Sequence, residues 1–296
     1  VADYDTISNA QEFVEKMTNA TTGKVLVLTQ DITIPKEMVK TSQENPNSAV
    51  LAYVVDSFYG ILDAQGYKIS LEMEIENAAV NGLIKQVCRK AEIRNLNYQA
   101  DITYKPYDKL AYIGTFCTTF SGYMENCYLK TNLYPTAEPQ DQESLIAVAK
   151  CEDGFSGTSS IRNCVFEINT EYNGKKIDNG YAIRMGTSPV ISAYDCVLIK
   201  NGLKADFFSG PKNASAVQCT NCLTYKTVYD FVNAKDGQIF FTQRISKKAV
   251  DGAHVYAEWP SVWQIDKESI YLCGRKVTDV SFVPHEQSKS LSISEN

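Results

Sequence analysis

The sequence predicts an all-β chain, a parallel β-helix (solenoid) preceded by a short N-terminal capping helix, and two observations carry that prediction. The first is a recurring motif, an apolar residue, a variable one, Asn or Asp, then Leu or Cys. It occurs as Ile93-Arg94-Asn95-Leu96, Met124-Glu125-Asn126-Cys127, Ile161-Arg162-Asn163-Cys164, Ala193-Tyr194-Asp195-Cys196 and Cys219-Thr220-Asn221-Cys222. Its fourth residues are 31, 37, 32 and 26 positions apart (96 to 127, 164, 196 and 222). The second observation is that the intervening sequence consists of short apolar stretches divided by Gly, Asn, Pro and charged turns, without the 3.6-residue period of a helical repeat. A unit of this size holding short strands cannot bury its apolar face alone, whereas stacked units share one continuous interior.

Taken in order, Ala10, Phe13, Val14 and Met17 fall at helical spacing behind a Ser8-x-x-Gln11 capping box, with Gly23 as the stop. Alternating strand patterns follow at Lys24–Leu28 and Asp31–Ile34, read as a strand pair, and Pro35 interrupts them. Thr41–Ser48, containing Asn45-Pro46-Asn47, reads as a surface loop. Glu72, Glu74 and Glu76 alternate with Leu71, Met73 and Ile75, the pattern of a strand with one solvated face. Each repeat also carries an upstream apolar strand: Gly82-Leu83-Ile84, Ala111-Tyr112-Ile113, Leu145–Val148, Tyr181-Ala182-Ile183 and Ala205–Phe208. Insertions at Asn132–Ser144 and Thr170–Asn179 leave the stack as loops. The resulting divisions are an N-terminal cap (1–48), β-helix coils (49–235), a C-terminal coil and closing segment (236–284) and a polar tail or linker (285–296).

Composition narrows the function classes. A chain of 296 residues that is 44% hydrophobic supports one large core. No apolar run approaches the roughly 20 residues of a spanning helix, so no membrane insertion by this segment is expected. A net charge of −6 argues against nucleic acid, whose binding relies on clustered Lys and Arg. The chain opens at Val1 without a basic and apolar leader, which fits a processed product or excised domain.

The candidate residues follow from the repeats. Asn95, Asn126, Asn163, Asp195 and Asn221 form one expected ladder, since Asn at a turn accepts a left-handed backbone and can hydrogen-bond the amide of the next unit. The alternative is a row of surface amides for a sugar. Leu96, Cys127, Cys164, Cys196 and Cys222 form a second ladder, of small inward side chains. Cys219-x-x-Cys222 has zinc-like local spacing, but no second Cys or His pair completes a site, and the strand-helix setting of a dithiol redox motif is missing. No metal and no cofactor are therefore expected. His254 and His285 stand in no recognisable catalytic arrangement, and acidic residues are too abundant for any pair to stand out. No catalytic residue is assigned. The 18 Tyr are the better clue to a partner, because a Tyr ring offers a flat face and a polar tip. Tyr98, Tyr104, Tyr107, Tyr134 and Tyr172 are the candidate binding residues.

Val27–Ile32, Phe58–Ile69, Gly82-Leu83-Ile84, Ile93–Leu96 and the closing Trp259-Pro260-Ser261-Val262-Trp263 resemble bacterial surface-exposed β-helix proteins related to GLUG-repeat adhesins. The resemblance implies a right-handed helix, export and membership of a larger surface protein, and it carries no catalytic residue. The Asp and basic clusters of pectate-lyase and polygalacturonase β-helices are missing here. The expected function is thus a noncatalytic extracellular module, secreted or on the cell surface, that binds a glycan or a host protein. A β-helix polysaccharide lyase or glycoside hydrolase, and a structural stalk, are the competing expectations.

Overall fold

The computed structural model describes residues 4–107, 112–138, 142–148, 158–176, 180–185, 190–200, 205–209, 217–242, 262–266 and 268–280. They form a mostly β structure with parallel sheets and few helices. One sheet has eight short strands, in the order Tyr4–Ile7, Val25–Leu28, Ile61–Asp63, Glu92–Arg94, Tyr123–Glu125, Thr158–Arg162, Val190–Tyr194 and Val217–Thr220. Each pairs in parallel with the next along the chain's repeats.

A second, 14-stranded sheet turns about one long strand, Lys68–Val87. Its first half pairs with Asn97–Pro106, and its second half with Val50–Phe58 and Tyr112–Phe120. Register aligns like with like. Ile32, Ile69, Tyr98, Leu129, Phe166 and Leu198 occupy one inward row across six strands. All six are at most 2% exposed, and burying a side chain of this size stabilises by about 1.5–3 kcal/mol.

The upstream strands align differently from the sequence expectation in one repeat. Ile84 pairs with Cys117, Cys117 with Ile146, Ile146 with Ile183 and Ile183 with Phe208. The counterpart of Leu83-Ile84 is therefore Phe116-Cys117, not Tyr112-Ile113. The register shift between Gly114 and Cys117 adds one residue of that difference, a bulge that a gapless motif comparison misses.

At the N-terminus the helix α1 (Ala10–Asn19) buries Phe13 and Met17. Its cap is Asn9, whose side chain accepts from the Glu12 N–H at 2.8 Å, while the Glu12 carboxylate accepts from Ser8 N–H at 2.9 Å. The box is thus shifted by one residue from the expected Ser8/Gln11, because Glu12 sits at N3 of a helix capped by Asn. The helix ends at Asn19, and Gly23 (φ 84°) turns the chain into the next strand. Val25–Leu28 and Ile32–Ile34 do not pair with each other; they enter different sheets. Lys40–Ser42 pairs antiparallel with Leu51–Tyr53, so part of the expected loop is a hairpin arm. Glu72, Glu74 and Glu76 are exposed between buried Leu71, Met73 and Ile75, and Lys36 reaches Glu74 at 2.7 Å and Glu72 at 3.4 Å.

The C-terminal part does not add another parallel unit. Helices α2 (Val228–Asn233) and α3 (Lys235–Thr242) precede a separate three-stranded antiparallel sheet, Trp263–Asp266, Ser269–Leu272 and Arg275–Asp279. Gly237 lets α3 approach α2, since a Cβ there would collide with the Phe231 carbonyl. Cys273 (φ 51°) and Gly274 (φ 76°) make the tight turn between the last two strands, as a two-residue hairpin requires. These elements pack on the outer side of the long strands. Phe231, Phe240, Phe241, Trp263, Ile270 and Leu272 share an apolar cluster with outward-facing Tyr128, Val165, Val197 and Ile199. Trp263 is fully buried and its indole N–H donates to the Asn163 carbonyl at 2.9 Å. Residues 281–296, including the expected tail, and Trp259 lie outside the described residues.

Candidate functional site

Five successive corners between the two sheets are each built on one left-handed residue. Asn95, Asn126, Asn163, Asp195 and Asn221 have φ between 53° and 55°, a conformation Asn and Asp tolerate better than other side chains with a Cβ. Such a corner turns the chain while keeping both neighbours in register. The N–H of Asn95, Asn126, Asn163 and Asp195 donates to the carbonyl of Glu125, Arg162, Tyr194 and Thr220, one unit on, at 2.9–3.1 Å. Side-chain amides add rungs from Asn95 to Asp63 (3.2 Å) and from Asn221 to Asp195 (3.3 Å). The first part of the row is closed to a sugar, because Asn95 and Asn126 are buried and Trp263 bonds the Asn163 carbonyl, whereas Asn221 at its end is exposed.

Leu96, Cys127, Cys164 and Cys196 are fully buried one residue further on, and Cys222 is half-buried. Each of these four cysteines hydrogen-bonds through Sγ to the carbonyl two residues back, at 3.2–3.8 Å. Burial pushes the Cys164 and Cys196 thiols well above their ordinary range, as expected of inert core thiols. Among the described residues, no cluster of three or more His, Cys, Asp or Glu is arranged to hold a metal ion.

The five candidate tyrosines divide sharply. Tyr98 and Tyr104 are 0% and 1% exposed and cannot form a binding face. Both fall on inward positions of Asn97–Pro106, where a large ring fills the interior; Tyr98 satisfies its hydroxyl on the Thr115 carbonyl at 2.7 Å and meets Phe116 edge-on at 5.3 Å. Tyr107 is half-buried and its hydroxyl donates to the Asn47 carbonyl, tying two loops together. Tyr172 is half-buried beside the Asn173-Gly174 turn, which closes a small hairpin with Lys175. Tyr134 is 47% exposed on the outer face of its strand.

Around Tyr134 lies a second ladder that the motif comparison did not reach. Asn132 Nδ2 donates to Asp101 at 2.9 Å, and Asn169 Nδ2 donates to Asn132 Oδ1 at 3.2 Å. These three half-exposed side chains stand in register across neighbouring strands, with Thr103 paired to Tyr134. Partial burial, with Asp101 and Glu171 nearby, raises the Tyr134 hydroxyl pKa, so the ring keeps a neutral donor. The patch therefore offers a flat ring, a row of amide donors and acceptors and the Asp101 and Glu171 carboxylates. Its sequence signal was available: Asp101, Asn132 and Asn169 each lie six residues after a corner residue.

One carboxylate stands apart. Asp63 is almost fully buried at the first corner, where one oxygen accepts from Gln65 N–H (3.0 Å) and Asn95 Nδ2 (3.2 Å) and the other has no partner. Burial raises its pKa to about 7. It lies beneath the C-terminal hairpin, which rests on Gly66 and places Arg275 over the Tyr67 ring at 3.5 Å. With no open space around it for a substrate, it is a structural group. Both histidines lie outside the described residues.

No family model, no curated protein and no solved structure matches this chain. No helix among the described residues is long and apolar enough to cross a membrane.

Proposed function

We propose that the chain is a right-handed parallel β-helix acting as a noncatalytic extracellular binding module of a bacterial surface protein, with a glycan as its ligand class. The in-register parallel pairing of successive units and the left-handed corner at five of them in a row support the solenoid reading. Right-handedness accords with the general rule for parallel crossovers. The resemblance to GLUG-repeat adhesins supports the placement on a cell surface.

The observation that carries the ligand class is the outer ladder Asp101–Asn132–Asn169 with Tyr134 beside it. Sugar hydroxyls are recognised by planar amide and carboxylate groups, and a ring face covers the apolar side of a pyranose. A protein partner would more naturally use an apolar interface core, which this polar patch lacks. The test is a glycan array probed with the intact chain, followed by titration of the hits. Tyr134→Ala and Asn132→Ala should each weaken binding by about tenfold or more without lowering thermal stability. Absence of any glycan hit at millimolar concentration, or a host matrix protein binding through another face, would overturn the assignment.

A further inference from the structure

The last described unit differs from all earlier ones in what it points at the interior. In successive units Ile93, Met124, Ile161 and Ala193 occupy one inward row, all buried, and Cys219 is the next member by register. Leu96, Cys127, Cys164 and Cys196 occupy the adjacent row, and Cys222 is its next member. Earlier units place at most one thiol at these two positions; the last places two. Among the described residues Val217–Thr220 is also the terminal strand of its sheet, and there Cys219 is exposed and Cys222 half-buried. The left-handed Asn221 (φ 53°) folds the chain between them, so both thiols belong to one corner.

We propose that Cys219 and Cys222 form a reversible dithiol/disulfide site at this end of the stack, oxidised by small-molecule disulfides. The reaction is thiol–disulfide exchange. The Cys222 thiolate attacks one sulfur of an oxidant such as glutathione disulfide, forming a mixed disulfide and releasing one glutathione thiolate. Cys219 then loses its proton and attacks Cys222 Sγ, which expels the second glutathione. The protein loses two electrons and two protons, and the oxidant is reduced to two thiols. Roles follow from the surroundings. Interaction with the neighbouring Cys196 and Cys219 lowers the Cys222 pKa, whereas interaction with Cys222, and then burial, raise that of Cys219. Cys222 is thus the nucleophile and exposed Cys219 the resolving thiol. The remaining described cysteines are buried and shielded from the reagent.

The experiment treats the folded full chain with glutathione disulfide at millimolar concentration, blocks free thiols with N-ethylmaleimide and maps the products by mass spectrometry. Both thiols fall in one tryptic peptide, Asn213–Lys226, so the expected result is loss of two hydrogens in that peptide, reversed by dithiothreitol. Cys219→Ser should leave glutathione trapped on Cys222, and Cys222→Ser should slow modification by about tenfold or more. Failure of the wild-type chain to form the Cys219–Cys222 disulfide overturns the proposal, and that readout needs no variant to fold. Equal labelling rates of the two single variants overturn the assignment of roles.

Discussion

The same strands present two different outer surfaces. Near the corners, Tyr128, Val165 and Val197 point outward and are covered by α2, α3 and the antiparallel sheet. A few residues along, Asp101, Asn132, Asn169 and Tyr134 point outward and stay open. Interior packing is common to both stretches, so the outer residues alone separate a surface that recruits a cover from one left open. On the strands beside Tyr128, the partly exposed Lys130 pairs with the buried Glu167 at 3.3 Å. Burial raises the Glu167 pKa against the opposing effect of Lys130, a sign that the cover excludes water.

The strongest way to break this comparison is to remove the centre of the covered side. Trp263→Ala deletes a fully buried indole in contact with Phe240 (5.6 Å) and Tyr128 (6.4 Å), together with its bond to the Asn163 carbonyl. We expect a loss of about 3–5 kcal/mol in urea unfolding. A loss below about 1 kcal/mol would mean that the cover is not held by packing.

Next in size is a pH effect at the far end of the cover. The Asp63 pKa is raised in the folded chain, from an ordinary 3.8 to about 7, so its neutral form favours folding. Its contribution is fully present below about pH 4 and is lost as pH rises through 7. Asp63→Asn holds the group neutral, and should make the chain more stable than wild type at pH 8, by on the order of a few kcal/mol, with the difference shrinking towards pH 4. Thermal melts of both proteins across that range test it. Parallel curves would show that the unpartnered oxygen reaches solvent.

How much of this contrast the sequence disclosed depends on the residue. The corners were legible because a left-handed turn selects Asn and Asp, and Asn126 or Asn163 betrays it alone. Tyr98 and Tyr104 were misjudged because Tyr serves inward and outward positions equally, and only register separates them. The cover itself was signalled by broken alternation: Val165-Phe166 and Val197-Leu198-Ile199 are apolar on both faces, as strands buried on both sides are. Its identity was not legible, since the Cys273-Gly274 turn lacks the usual Asn-Gly signal. The Asn173-Gly174 hairpin did carry that signal, inside a segment read as an insertion loop.

A smaller effect separates corner from surface. Asn126→Ala puts a Cβ-bearing residue without a local polar group at φ 54° and should cost about 1–2 kcal/mol. Asn126→Gly meets no such penalty in the folded chain and should recover most of the loss, leaving roughly 0.5 kcal/mol. Equal losses for the two variants would assign the cost to the missing amide, and not to the backbone.

The smallest effect is the most informative about function. Asn132 donates to Asp101 and accepts from Asn169 on the open face, where water can replace both partners. Removing a solvated hydrogen bond changes stability little, unlike leaving a buried group unpaired. Asn132→Ala and Tyr134→Ala should therefore shift unfolding by no more than about 0.5 kcal/mol. A carboxylate and two amides kept in register across three strands, yet contributing so little to folding, would have their use in what they bind. A loss of 2 kcal/mol or more in urea unfolding would instead make the outer ladder a part of the fold, like the corner ladder beside it.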